Sequence, residues 1–295
     1  MPTRSIKIYF IASLGIILIA LLGWLVYHAV QPATSFNGQR ALQDVAAQVA
    51  FGPRTPGSTA HAEVIAYIQK ELVNAGWTVE IQSTEWLGFS VQNIIASRSS
   101  SATRIIVGAH YDSRLLADQD TGPGRNQPVP GANDGASGVS ILLELARTLP
   151  ARSVPVSLVF FDAEDNGGLD NRQWIMGSQA FVKSLTVKPE AAVIVDMVGD
   201  ANLNIYEERN SDPKLTAEIW AQAAALGFAK YFIATPKYDM IDDHSPFLQA
   251  GIPAVDIIDF DYPYWHTSAD TLDKVSAQSL QAVGETLLAW LVSKK

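Results

Sequence analysis

The sequence contains no cysteine. That excludes disulfides, thiolate metal sites, a cysteine nucleophile and a lipidated N-terminal cysteine, so any metal must be held by His, Asp and Glu. Clusters of Lys and Arg are also missing, and the formal net charge is -9. Phosphate backbones are bound by clustered cations, so a nucleic-acid partner is excluded. Charged residues make up only 17% against 48% hydrophobic, which is the composition of a globular chain and not of a disordered one. No internal repeat interrupts it.

Near the N-terminus, Ile8 to Val30 runs without Asp, Glu, Lys or Arg. As a helix it would span about 34 Å, enough to cross a bilayer core of about 30 Å. Arg4 and Lys7 precede it and the next charge is Arg40, an asymmetry that leaves the N-terminus in the cytoplasm and the remainder outside. Trp24 and Tyr27 fall near the outer interface. A cleaved signal peptide is the competing reading. The length of the stretch and the lack of a small-x-small site favour an uncleaved anchor. The expected organisation is therefore a transmembrane signal anchor over 1–30, a linker over 31–38 and one extracytoplasmic domain over 39–295, long enough for a substantial core.

Within that domain, helical spacing predicts helices at Arg40–Ala50, from Ser58 or Thr59 to Asn74, at Gly138–Leu149, Gly177–Leu185 and Leu215–Leu226, and from Ser276 onwards. Apolar runs predict strands at Thr78–Thr84, Val91–Ala96, Ile105–Ala109, Val156–Phe161, Ala191–Val195 and Ala254–Ile258. Strands alternating with helices imply a single α/β domain with a mixed, mostly parallel central sheet flanked by helices. Polar clusters follow the apolar strands: His110 and Asp112, Glu164 and Asp165, Asp196, then Asp259–Asp270. Ligand sites of open α/β sheets lie beyond the carboxyl ends of the strands, so these clusters should converge on one rim.

Each cluster has a plain reading on its own. His110 could be a hydrogen-bonded strand end beside Asp112, and Asp134 in GANDGASG could be a helix N-cap. Glu164 and Asp165 could form a solvated turn, Asp196 could pair with a cation, and His244 in DDHSPF could bond a helix terminus. Taken together they suggest more. Two adjacent carboxylates resist joint ionisation unless a cation holds one of them, which leaves the other as a general base. The chain has five histidines. Apart from His28 and His61, all of them lie in acid-rich motifs at strand ends, a donor set that suits zinc. Trp265 adds an apolar wall beside His266.

In order, AHYDS (109–113), GANDGASG (131–138), FFDAED (160–165), VDMVG (195–199), DDHSPF (242–247) and WHT (265–267) resemble the zinc aminopeptidase family with co-catalytic metals, and more closely its glutaminyl-peptide cyclotransferase branch. The resemblance covers about residues 40 to 295. It implies a zinc aminopeptidase-like fold and makes Asp134, Asp165 and His266 the ligands of a main zinc, with Glu164 as acid/base. His110 and Asp196 match the positions that hold a second zinc in the peptidases. It places Asp196 and Asp242 in a proton network, Trp265 against the substrate side chain, and Asp112 and His244 in support. The implied substrates are peptide or protein N-termini, with one zinc for a cyclase and two for an aminopeptidase. A binding ectodomain without activity is a third reading, weakened because every ligand position is filled. Two positions depart from the pattern: Asp165 stands where many peptidases carry Glu, and Asp256 where animal cyclases carry His.

Overall fold

In the computed structural model, which describes residues 35–99 and 101–294, a six-stranded mixed sheet forms the centre of the domain. The membrane helix expected over Ile8–Val30 lies outside the described residues, and among those described no helix is long and apolar enough to cross a membrane. The domain begins by Phe36, whose ring is buried in the core.

Four strands are parallel: β3 (Ile105–His110), β4 (Val156–Phe161), β5 (Ala191–Asp196) and β8 (Ala254–Ile258). All of their residues are buried, as expected of strands covered on both faces. The pleat divides the side chains between two cores. Val107, Ala109, Val193 and Val195 enter the larger core, while Ile106, Ala192 and Ile194 pack on the other face with Phe181 and Phe247. A hairpin of β1 (Thr78–Trp86) and β2 (Phe89–Ser97) adds two antiparallel strands, giving the order β1-β2-β4-β3-β5-β8. Strand β1 alternates in exposure, as a one-sided edge strand should.

Helices α1 (Gly38–Ala50), α2 (Thr59–Asn74), α3 (Ala136–Thr148), α5 (Pro213–Ala225) and α7 (Ala277–Ser293) supply the larger core. The second core is covered by α4 (Met176–Ser184) and the short α6 (Ser245–Gln249). Ser58 caps α2 by accepting from the His61 amide, and Asp212 caps α5 in the same way from Lys214 and Leu215. A small parallel pair, β6 (Ile205–Glu207) and β7 (Phe232–Pro236), lies outside the main sheet and was not expected from the sequence.

The chain runs from β3 to its neighbour β4 on one side, then crosses to β5 on the other. The carboxyl ends of β3 and β5 therefore flank a point where the winding direction reverses, the usual place for a ligand crevice. Helix α3 sits directly above it. At Gly138 a Cβ would stand 2.4 Å from the Val195 carbonyl oxygen and 2.9 Å from Ala109 Cβ, so only glycine admits this approach.

Candidate metal centre and active site

His110 and Asp196 end the adjacent strands β3 and β5, which puts His110 Nε2 3.0 Å from Asp196 Oδ1. Asp134, in the loop that leads into α3, has Oδ1 3.2 Å from the same His110 nitrogen. Its other oxygen, Oδ2, lies 3.7 Å from His266 Nε2. Asp165, in the turn after β4, reaches His266 Nε2 with Oδ1 at 2.8 Å, so its shorter side chain still spans the gap. Two triads result: His110, Asp134 and Asp196, and Asp134, Asp165 and His266, with the ligand atoms of each within 4.8 Å of one another. Asp134 belongs to both and offers one oxygen to each.

These side chains fit a metal ion on their own evidence. Asp134 Oδ2 and Asp165 Oδ2 are buried and accept no hydrogen bond. A buried carboxylate oxygen left bare is costly unless a cation faces it. The donors are imidazole nitrogen and carboxylate oxygen only, a set that divalent first-row metals accept. Asp134 is not the helix cap that the plain reading allows, because Gly135, at φ 91°, occupies that position.

The surrounding shell holds the ligands in place. Asp112 accepts from the backbone N–H of Glu164 at 3.0 Å and of Asp165 at 3.3 Å, and its Oδ1 lies 3.7 Å from His110 Nδ1. Asp118 stands in the same relation to His266, 3.6 Å from Nδ1, and Arg114 grips it at 2.8 and 2.6 Å. Each imidazole thus has a carboxylate near its Nδ1, just beyond hydrogen-bond reach. Asp270 accepts from the amides of Asn133 and Asp134 at 2.8 and 3.1 Å, and Tyr262 donates to it at 2.6 Å. Under the same loop the fully buried Arg54 donates to the carbonyls of Tyr111, Pro130 and Gly131 at 3.1, 2.7 and 2.6 Å. Sequence reasoning missed Arg54, Asp118 and Asp270. Asp270 ends the acid-rich stretch Asp259–Asp270, whereas nothing in the local sequence distinguishes Asp118, or an arginine in a Pro/Gly loop.

Electrostatics follow from this crowding. Burial pushes the Glu164 carboxyl well above the usual range, and the neighbouring Asp165, Asp242 and Asp243 push it further. Burial raises Asp196 to about 7 against the opposing pull of His110, and raises Asp165 to about 6 with help from Asp134. Asp134 would also be raised by burial, but His110 and His266 outweigh that and hold it low. Three non-glycine residues in left-handed backbone mark the same spot: Ala163 (φ 54°) before Glu164, Met197 (φ 47°) after Asp196, and His266 itself (φ 55°). Backbone of this kind persists only where its surroundings over-determine it.

The site opens into a cavity of about 290 Å³. Asp134, Glu164, Asp165, Asp196 and His266 line its acidic part, and Met197, Met240, Ile241, Ile258, Phe260, Trp174 and Trp265 line its apolar part. The His266 ring lies between two indoles, Trp265 at 3.8 Å and Trp174 at 5.9 Å between centroids. Asp242 lines the cavity as well. His244 does not. It is buried, with Nε2 3.3 Å from Glu208 Oε2 and Nδ1 3.7 Å from Asp256 Oδ2. His61, set aside in the sequence, pairs with Asp162 at 2.7 Å, outside both triads.

Known proteins share this frame. The model of a family described as peptidase family M28 matches residues 93–291. The structure resembles that of Tannerella forsythia glutaminyl cyclase with a TM-score of 0.83 and 35% identity, covering 88% of this chain and 100% of the other. It matches a leucine aminopeptidase precursor of Bacteroides thetaiotaomicron as well, with a TM-score of 0.83, 32% identity and coverage of 88% and 98%. A glutaminyl-peptide cyclotransferase-like protein of Bos taurus is 26% identical over 282 residues, 81% of this chain and 71% of that protein. With its family model matched over most of the domain and its two triads at the strand ends, the chain belongs to peptidase family M28.

Proposed function

We propose that this chain is a zinc-dependent glutaminyl-peptide cyclotransferase, converting an N-terminal glutamine to pyroglutamate with release of ammonia. The observation that carries the reading is the placement of Glu164. This carboxyl is only 8% exposed, its proton affinity is raised by burial, and it sits beside the metal triad in a largely apolar-walled cavity. Such a group can accept a proton and return it, as a reaction whose nucleophile and electrophile belong to one residue requires. The likeness to the Tannerella forsythia cyclase over that chain's whole length supports it.

Asp134, Asp165 and His266 would hold the zinc, which when bound supplies Lewis-acid polarisation of the side-chain carbonyl. Glu164 takes a proton from the α-amine as that nitrogen bonds to the side-chain carbonyl carbon. It then gives the proton to the departing nitrogen as the carbon–nitrogen bond of the amide breaks, and ammonia leaves. Asp196 and Asp242 form the acidic wall that stabilises positive charge on the amine. Trp265 and Trp174 keep the His266 ring fixed, and Trp265 packs against the glutamine side chain.

The second reading is an aminopeptidase, favoured by one observation: the two oxygens of Asp134 face the two triads. In that case His110 and Asp196 would help to hold a second zinc, and Glu164 would deprotonate the attacking water. One assay separates the two. The zinc-loaded domain is incubated with a peptide beginning in glutamine and another beginning in leucine, each followed by mass spectrometry. Loss of one ammonia from the first, with the second intact, is expected. Release of free leucine, with the glutamine peptide merely shortened, overturns the cyclase reading.

A further inference from the structure

The hairpin of β1 and β2 closes on two residues, Leu87 and Gly88, between the paired Trp86 and Phe89. Both have positive φ, 51° and 85°, as in a type I′ turn. Such turns favour Asn, Asp or Gly at the first position, because a larger side chain is crowded in left-handed backbone. Leu87 gains little from the fold in return, since it is 57% exposed. A residue that is strained and also bares an apolar side chain to water points to a contact outside the chain.

Its neighbours extend the apolar surface and frame it with charge. Trp86 and Phe89 are half-buried, packed at one side on the cluster of Val91, Ala163 and Met176. Lys183 of α4 holds its ammonium 4.9 Å from the Trp86 ring centre, and the Arg172 guanidinium lies 4.4 Å from that of Phe89. Among the described residues neither cation is paired with a carboxylate, and Arg172 Nε is buried without a hydrogen-bond partner. Glu85, beside Trp86, is exposed and stays in water. An apolar tip with a tryptophan and unpaired cations at its base suits the boundary between lipid headgroups and acyl chains. There leucine and ring enter the apolar layer while the cations meet phosphates. The sequence also keeps lipid within reach. Only residues 31–35 separate Phe36 from the uncharged stretch Ile8–Val30, expected to cross a membrane, a span of about 20 Å when fully extended.

We infer that the Trp86–Phe89 tip is a membrane-contact site, which inserts Leu87 into the headgroup boundary of a bilayer and sets Lys183 and Arg172 on lipid phosphates. The inference draws on the expected anchor and is independent of which reaction the metal site carries out.

The absence of cysteine makes the test direct. Ser90→Cys, exposed beside the tip, is labelled with a nitrobenzoxadiazole dye in the full chain. The chain is then reconstituted in vesicles of phosphatidylcholine and phosphatidylglycerol in equal parts. Val73→Cys, 60% exposed on α2 just before the far end of β1, is the control. An interfacial segment enters about 5–10 Å, so a lipid nitroxide high on the acyl chain should dim the dye at position 90 about twofold. The dye at position 73 should be unchanged. Leu87→Asp, a residue that the turn accepts well, should abolish the quenching while the hairpin persists. Quenching at neither position, at the control as strongly, or undiminished by Leu87→Asp overturns the membrane contact. Blue-shifted emission at position 90 without lipid quenching overturns it too, and assigns the tip to a protein partner.

Discussion

Glu164 and Asp165 are neighbours in sequence whose carboxyls are held in different settings. Asp112 accepts the backbone N–H of Glu164 and that of Asp165, which turns the two side chains to different tasks. Asp165 is tied to His266, while Glu164 faces the cavity. Replacing Glu164 by Gln preserves shape and removes the ability to carry a proton. Turnover should fall by about 10²–10⁴-fold, the usual share of a general acid–base. Zinc content measured by atomic absorption should stay at the wild-type level. Near-normal turnover in Glu164→Gln would remove the residue from the chemistry. Loss of zinc along with activity would make it a ligand instead.

At the scale of elements, helix α3 and the strands beneath it set the position of Asp134. Gly138 lets the helix descend onto Val195 and Ala109. A methyl group there would have to lift the helix, and with it the loop holding Asp134. Gly138→Ala is expected to cost about 1–3 kcal/mol by overpacking, seen as a melting temperature lower by about 2 to 10 °C. An unchanged melting temperature would show that the contact yields freely. The same elements explain what was legible beforehand. Buried runs such as Val156–Phe161 and Ala254–Ile258 are apolar but for one residue each, Ser157 and Asp256, and their ends are marked by acids, so these strands and the rim could be read from order alone. The pair β6 and β7 could not. Only Ile205 and Phe232 of the two strands are buried, too few to write a period into the sequence. Partners of the ligands were equally hard to see: Arg54 reaches carbonyls 57 to 77 positions away, and no local pattern records so distant a hydrogen bond. The short α6 begins at Ser245 after His244, but the histidine side chain does not cap it and points instead towards Glu208 and Asp256.

For the whole molecule, the two triads concentrate buried acid at one end of the sheet. A cation bound there stabilises the folded chain by linkage, since the unfolded chain has no such cage. Stripping metal with a chelator should lower the melting temperature by on the order of 10 °C, and added zinc should restore it. If metal is shown to be gone and the transition does not move, neither triad is a metal site. The sharing of Asp134 between the triads also carries a historical consequence. Because one side chain serves both, a lineage can pass between one-ion and two-ion chemistry without first losing a ligand. A change of chemistry on such a scaffold would then have to come from the cavity wall, because the floor offers both triads the same carboxylate.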